Sequence, residues 1–212
     1  MSGNPNDIKD QLLMAMLPHV LFDGWSQDTL AAACQDLGPD TPEASLVFPG
    51  GIRDVAKHFG DYMDRAMLAE LAKLNIEKLP IRERIATGVR TRLMLLAPHR
   101  EAIRRLLTYL SLPGNQFTGL RITMKTVDAI WYAAGDTATD FNYYTKRGLL
   151  AGVYGSTILY WLSDNSDDFV ETDAFLARRI NEVLQIPKLQ SKITKRLERL
   201  TRPLRRFKRP AF

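Results

Sequence analysis

The sequence predicts an all-α fold, and three observations carry that expectation. Apolar side chains recur at steps of three and four along the chain, and no stretch shows the strict alternation of a strand. Gly and Pro interrupt the pattern at Gly38-Pro39, Pro49-Gly50-Gly51, Leu112-Pro113-Gly114 and Gly135. Side chains able to cap a helix, Asn6, Ser26 and Thr139 or Asp140, stand at the starts of stretches in between.

Asn6 opens a first helix, Asp7 to Leu21, with Ile8, Leu12, Leu13, Met16 and Val20 on its apolar side. Ser26 caps a second, Gln27 to Leu37, and Thr41 to Phe48 forms a short third turn before a long helix from Ile52 to Leu74. These three short helices, with Val47-Phe48-Pro49-Gly50 ahead of a long one, resemble the N-terminal helix-turn-helix of TetR-type regulators. In that family the third helix enters the major groove and needs basic or amide side chains for phosphates and base edges. Here Asp36 to Phe48 holds Asp36, Asp40 and Glu43 and no Lys or Arg, which argues against DNA reading. Further helices are expected from Pro80 to Pro98 through Ile85, Val89, Leu93 and Leu96, and from His99 to Leu110. A last one runs from Asp167 to Ile186, using Phe169, Phe175, Leu176, Ile180 and Leu184.

Two long apolar helices meet at a polar corner between Asp128 and Arg147. Upstream, Phe117, Leu120, Met124, Val127, Trp131 and Ala134 repeat with the period of one buried helix face. Gly135 ends that helix, since Gly tolerates the left-handed conformation that helix C-termini often need. The second helix runs from about Asp140 to Ser163. One face carries Phe141, Tyr144, Gly148, Ala151, Gly155 and Leu159, with Gly152 beside them, and forms a groove of small residues. The other carries Tyr143, Arg147, Leu150, Tyr154 and Trp161. Gly148 to Ser163 is uncharged but shorter than the roughly 20 apolar residues of a bilayer span, so a buried helix is expected. Two readings of these faces stand open: every side chain packs the core, or the small residues leave room for a long apolar ligand while the outer aromatics meet a partner.

With 212 residues, 45% of them apolar, the chain suits one domain or one domain with a small appendage. Its net charge of +5 is unevenly divided. From Lys188 onward ten Lys or Arg stand against Glu198 alone, giving +9, while the preceding 187 residues hold 19 basic and 23 acidic side chains, giving −4. In that tail Leu189, Ile193, Leu197, Leu200, Leu204 and Phe207 share one face, with Lys195, Arg196 and other basic residues around it, and Pro203 kinks or ends the helix. Such a helix suits a membrane interface, where anionic lipid adds about 1 kcal/mol per basic residue near the surface. A helix docked on the domain and a nucleic-acid-binding arm are the alternatives. The arm is the least favoured, because binding phosphate needs no regular apolar stripe. The chain thus divides into residues 1–50, 51–187 and 188–212.

The single cysteine, Cys34, excludes an internal disulfide, fits a reducing compartment and reads as a small buried hydrophobe. The N-terminal Met-Ser-Gly-Asn-Pro-Asn shows neither an export signal nor an import leader, so a cytoplasmic protein is expected. No catalytic residue, metal site or cofactor motif emerges. His19, His58 and His99 stand alone, and the Glu-x-x-His pair, the Gly-x-Ser-x-Gly elbow, the phosphate loop and the dinucleotide fingerprint are absent. Asp136 and Asp140, flanked by Gly and Thr, are better explained by helix capping than by acid/base work.

At the corner, Trp131-Tyr132-Ala133-Ala134-Gly135-Asp136 and Thr139-Asp140-Phe141-Asn142-Tyr143-Tyr144-Thr145-Lys146-Arg147 resemble the signature of the Coq-nine family of ubiquinone-biosynthesis accessory proteins. Gly24-Trp25-Ser26, Thr91-Arg92-Leu93-Met94-Leu95 and Asp167-Asp168-Phe169 extend the likeness over about Leu12 to Leu184. The resemblance implies a TetR-like, dimeric helical bundle without DNA binding, with an N-terminal helix-turn-helix-like unit and a C-terminal amphipathic membrane helix. It also implies a pocket for isoprenoid lipid and delivery of a quinone precursor to a di-iron demethoxyubiquinone hydroxylase.

By motif match the hydroxylase patch falls on Asp140, Tyr143, Tyr144 and Arg147, with Trp131 nearby. Tyr143 stands where the family often has Trp. The lipid would lie between the two corner helices, against Phe117, Leu120, Met124, Val127, Gly148, Ala151, Gly152, Gly155 and Leu159. The tail would hold the protein on the cytoplasmic face of the inner membrane, and the missing import leader points to a bacterial member. A ligand-responsive transcription regulator is the alternative function, and an enzyme needing an unrecognised cofactor is a third.

Overall fold

A computed structural model describes residues 5–136 and 141–183. Local hydrogen bonds set the starts of α2 and α4, whereas Asn6, expected to cap the first helix, lies within it. Helix α1 runs Pro5–Asp23 and α2 Gln27–Leu37, the second capped by Ser26, whose Oγ accepts from Thr29 N at 3.1 Å. Helix α3, Ala44–Val47, is a single turn. Asp54 accepts from Gly50 N at 2.7 Å at the start of α4, Ile52–Leu71. Helices α5, Ile81–Leu96, α6, Arg100–Ser111, and α7, Gln116–Ala133, follow. Helix α8, Phe141–Trp161, lies beyond the corner, and α9 covers residues 170–183 after a short turn at Asp167–Phe169. The described residues are thus all-helical, without strands. The capping role expected of Thr139 or Asp140, the end of the last helix through Leu184 to Ile186, and the tail from Leu189 through Ile193, Lys195, Arg196, Leu197, Leu200 and Leu204 to Phe207 lie outside them.

The N-terminal unit is fastened to the bundle by ring packing, a buried hydrogen bond and ion pairs. Trp25 packs edge-on against Phe59 at 5.5 Å and donates from its indole to Ala102 O at 2.9 Å. Asp10 holds His58 at 2.6 Å and Arg65 at 2.8 Å, tying α1 to α4. Burial lowers the His58 pKa despite the Asp10 hydrogen bond. Cys34 is half-buried, and desolvation raises its thiol pKa.

Four helices meet at a buried polar cluster. Arg92 on α5 lies 3.1 Å from Asp64 on α4, Thr126 on α7 donates to the same carboxylate at 2.8 Å, and Arg92 also donates to Gly60 O at 3.2 Å. Arg92 reaches the Tyr154 hydroxyl on α8 at 3.4 Å. Desolvation raises the Asp64 pKa, with Arg92 and Thr126 pulling the other way.

The inward faces of α7 and α8 differ from expectation. On α7, Val127 and Ala134 are buried, but Phe117 is 81% exposed and Leu120 is exposed with it. The cause lies in other helices. Gly60 on α4 and Gly88 on α5 leave room for Ile122 and Ile130, whose Cγ2 atoms stand 2.8 and 2.9 Å from where a Cβ would be. This turns the Thr118, Thr126 and Ile130 side of α7 inward. On α8 the two expected roles are exchanged. Arg147, Leu150, Tyr154 and Trp161 are buried, whereas Tyr144, Gly148, Gly152 and Leu159 face outward.

Arginines from α6 close the far end of α8. Arg100 donates to the carbonyls of Trp161, at 2.6 Å, and Asp164, and Arg104 donates to Leu162 O at 2.8 Å. Cations thereby meet the carbonyls at a helix C-terminus.

Candidate functional site

The corner is built on a tight turn and one buried carboxylate. Gly135, at φ 85°, reverses the chain, and the N–H groups of Gly135 and Asp136 bond back to Tyr132 O and Trp131 O, both at 3.0 Å. This carries Asp136 under the start of α8. There it lies 2.7 Å from Lys146 and 3.3 Å from Arg147, with only 7% of its side chain exposed. Arg147 also binds Asp128 at 2.6 Å, and Tyr143 donates to the same carboxylate at 3.2 Å. Asp136 is therefore the shared counter-ion of two cations. Both cations also lie against rings: Arg147 is 3.3 Å from the centre of Tyr143, and Lys146 is 5.5 Å from that of Trp131.

This arrangement separates the residues expected to meet a partner. Tyr144 is 72% exposed, and its ring meets that of Tyr143 edge-on at 5.1 Å. Trp131 and Tyr143 are half-buried, and Arg147 is buried beneath them. Asp140 lies outside the described residues. The corner thus presents Tyr144 on a base of Tyr143, Arg147 and Asp128.

A cavity of about 310 Å³ opens beneath the corner, between the starts of α5 and α8 and the end of α9. Ile81 and Ile85, Leu149, Leu150 and Val153, and Ile180 and Val183 form its apolar walls. Trp131 and Lys146 form the wall it shares with the corner, and Arg82 completes the lining. Among these lining side chains every polar group is a hydrogen-bond donor. The volume is at the lower end of the range for small-ligand sites.

Among the described residues expected at a site, Trp131 alone lines this cavity. Val127 is wholly buried in the core, and Met124 and Ala151 are half-buried. Phe117, Leu120, Gly148, Gly152 and Leu159 lie on the outward side, with Gly155 half-buried beside them. No neighbouring atom approaches within 4 Å of a Cβ built on any of these three glycines. Ile81 and Ile85 sit four apart, the spacing of one helix face, but that spacing does not separate a cavity wall from ordinary packing. Among the described residues no cluster of His, Cys, Asp or Glu could hold a metal ion, and no helix is long and apolar enough to cross a membrane.

The segment holding both corner and cavity carries a family signature. Residues 117–187, covering α7 to α9, match the COQ9 family model. Over 186 residues, 84% of this chain, the sequence is 35% identical to the ubiquinone biosynthesis protein COQ9 of rat mitochondria and 33% identical to that of human mitochondria. The chain belongs to the COQ9 family. It spans 59% of the length of the rat relative and 58% of the human one.

The TetR likeness extends to the whole bundle of this COQ9-family chain. A TetR transcriptional regulator from Nitrosomonas europaea superposes with a TM-score of 0.66 at 20% identity, covering 84% of this chain and 98% of the regulator. At that identity the likeness is one of fold.

Proposed function

We propose that this protein is a non-enzymatic lipid-binding accessory of ubiquinone biosynthesis. It takes an isoprenoid quinone precursor at the membrane and presents it to a di-iron demethoxyubiquinone hydroxylase. The observation that carries this reading is the shared wall: Trp131 and Lys146 line the apolar cavity and belong to the family's corner signature. A chain lying among Ile85, Leu150, Val153 and Ile180 would place its head beside Lys146 and Trp131, next to the surface that offers Tyr144. This reading moves the lipid from the outward Gly148–Gly152 stripe to the inner side of α8. The stripe, with Phe117, Leu120 and Leu159, suits a second copy of the chain. Residues 188–207 would hold the complex at an anionic membrane surface.

Solvent extraction and mass spectrometry of the natively expressed protein test the proposal. Recovery of isoprenoid quinone precursors is expected, and Leu149→Trp, which fills the cavity from a half-buried position, should lower their yield at least tenfold without unfolding the protein. An unchanged yield from the folded variant would exclude this cavity as the lipid site.

A further inference from the structure

The N-terminal unit keeps the architecture of a DNA-reading head and carries the opposite charge. Residues 1–50 hold seven acidic side chains against Lys9 alone, a net −6, whereas residues 51–187 hold 18 basic and 16 acidic, a net +2. The +9 of the segment from Lys188 therefore has its natural counterpart at the other end of the same chain. Three of these acids flank the α2–α3 connection, where Asp36, Leu37, Asp40, Glu43 and Leu46 are all exposed, Leu46 by 73%. Asp36 pairs with His19 at 2.5 Å, but Asp40 and Glu43 form no ion pair with any described residue. Exposed Leu37 and Leu46, on a stretch whose Asp40 and Glu43 carboxylates have no described cation beside them, fit a segment that is apolar along one stripe and cationic on both flanks. Residues 188–207 have that pattern, with Ile193, Leu197 and Leu200 between Lys192, Lys195, Arg196 and Arg199.

We propose that residues 188–207 dock on the α2–α3 face of their own chain, and that this contact competes with an anionic membrane for the tail. The described chain ends at Val183, beside Ile81 at the start of α5. The 20 residues of α4 separate that end of the bundle from α3, a distance of about 30 Å. Residues 188–207 cover about 30 Å as a helix, and residues 184–187 add up to about 13 Å if extended, so the tail can return along the bundle. Its basic side chains cannot face Asp40 and Glu43 and a lipid surface together. The proposal rests on the membrane-docking part of the function above and is independent of what the cavity holds.

Carbodiimide cross-linking of the full chain without lipid, followed by digestion and mass spectrometry, tests the contact. Tail lysines should link to Asp36, Asp40 or Glu43 within one chain, as judged by mixing isotopically light and heavy protein. The links should disappear near 1 M salt, where the screening length falls to about 3 Å. Asp40→Asn with Glu43→Gln should also raise binding to phosphatidylglycerol-containing vesicles about fivefold, the equivalent of one basic residue's attraction. Glu77→Gln with Glu171→Gln, which changes net charge equally elsewhere, should not. No links to the α2–α3 face, links only between chains, or equal vesicle binding by the two double variants would overturn the proposal. Equal vesicle binding by the full chain and by residues 1–187 would instead refute membrane docking while leaving the cross-linking result to stand.

Discussion

Arg147 stacks 3.3 Å from the centre of the Tyr143 ring and binds Asp128 and Asp136, so one guanidinium joins α7, the corner and α8. Its role is to position the surface above it. Arg147→Met should strip the nearly buried Asp136 carboxylate of one cation and free the Tyr143 ring. Breaking such a pair costs about 2–4 kcal/mol, which in a chain of this size lowers Tm by roughly 5–10 °C. Thermal melts by circular dichroism check this, and an unchanged Tm would mean that Lys146 alone compensates Asp136.

Tyr144 gives the opposite pattern. At 72% exposure it contributes little to the core, so Tyr144→Ala should alter stability by no more than about 0.5 kcal/mol. Exposed aromatic side chains supply much of the energy of protein interfaces, so if the corner meets the proposed hydroxylase the same change should weaken that binding at least tenfold. Calorimetric titration with the hydroxylase and a melt of the free variant separate the two effects. Tyr143→Ala should alter both, because its ring also covers Arg147.

The glycines divide into those that admit a neighbouring helix and those that face open space. Gly60→Ala would bring a methyl to 2.8 Å from Ile122 Cγ2 and should destabilise the bundle by about 1–3 kcal/mol. Gly152 meets nothing within 4 Å, so Gly152→Leu should leave the monomer folded. If a second copy packs on that stripe, the bulkier side chain holds the helices apart and light scattering should report a monomer. A persistent dimer would place the subunit contact elsewhere.

What was legible in the sequence follows from where each feature's causes lie. Ser26 and Gly135 act on their own few residues, so the helix ends they set could be read directly. The inward face of α7 could not, because Gly60 and Gly88, on two other helices, decide that Ile122 and Ile130 rather than Phe117 and Leu120 point to the core. The cavity combines Ile81 and Ile85, Leu149 to Val153, and Ile180 with Val183, and no periodicity links three segments so far apart. Trp131 belongs to the corner signature, whereas the cavity behind it exists only where residues of α9 come together with those of α5 and α8.

Asp164 fixes the position of α9 and with it the Ile180 and Val183 side of the cavity. It is almost wholly buried beyond the end of α8, and its carboxylate accepts from the N–H and hydroxyl groups of both Ser166, just before the turn at Asp167–Phe169, and Thr172, in the first turn of α9, at 2.5–2.8 Å. Burial raises its pKa, but the four hydrogen bonds outweigh that and hold it at about 2, below the ordinary 3.8. Because the folded form binds its proton more weakly than the unfolded chain, the ionised carboxylate stabilises the fold fully above about pH 4. That contribution is lost as pH falls through about 2. Asp164→Ala should therefore cost about 1–2 kcal/mol at neutral pH, as expected for a lost helix cap, and should flatten the stability profile between about pH 4 and 2. Melts across that range check the slope. Since α9 forms one wall of the cavity, a lipid held there as proposed should be released by the variant at neutral pH, and full retention would show that the α8–α9 junction is not needed to keep the cavity closed.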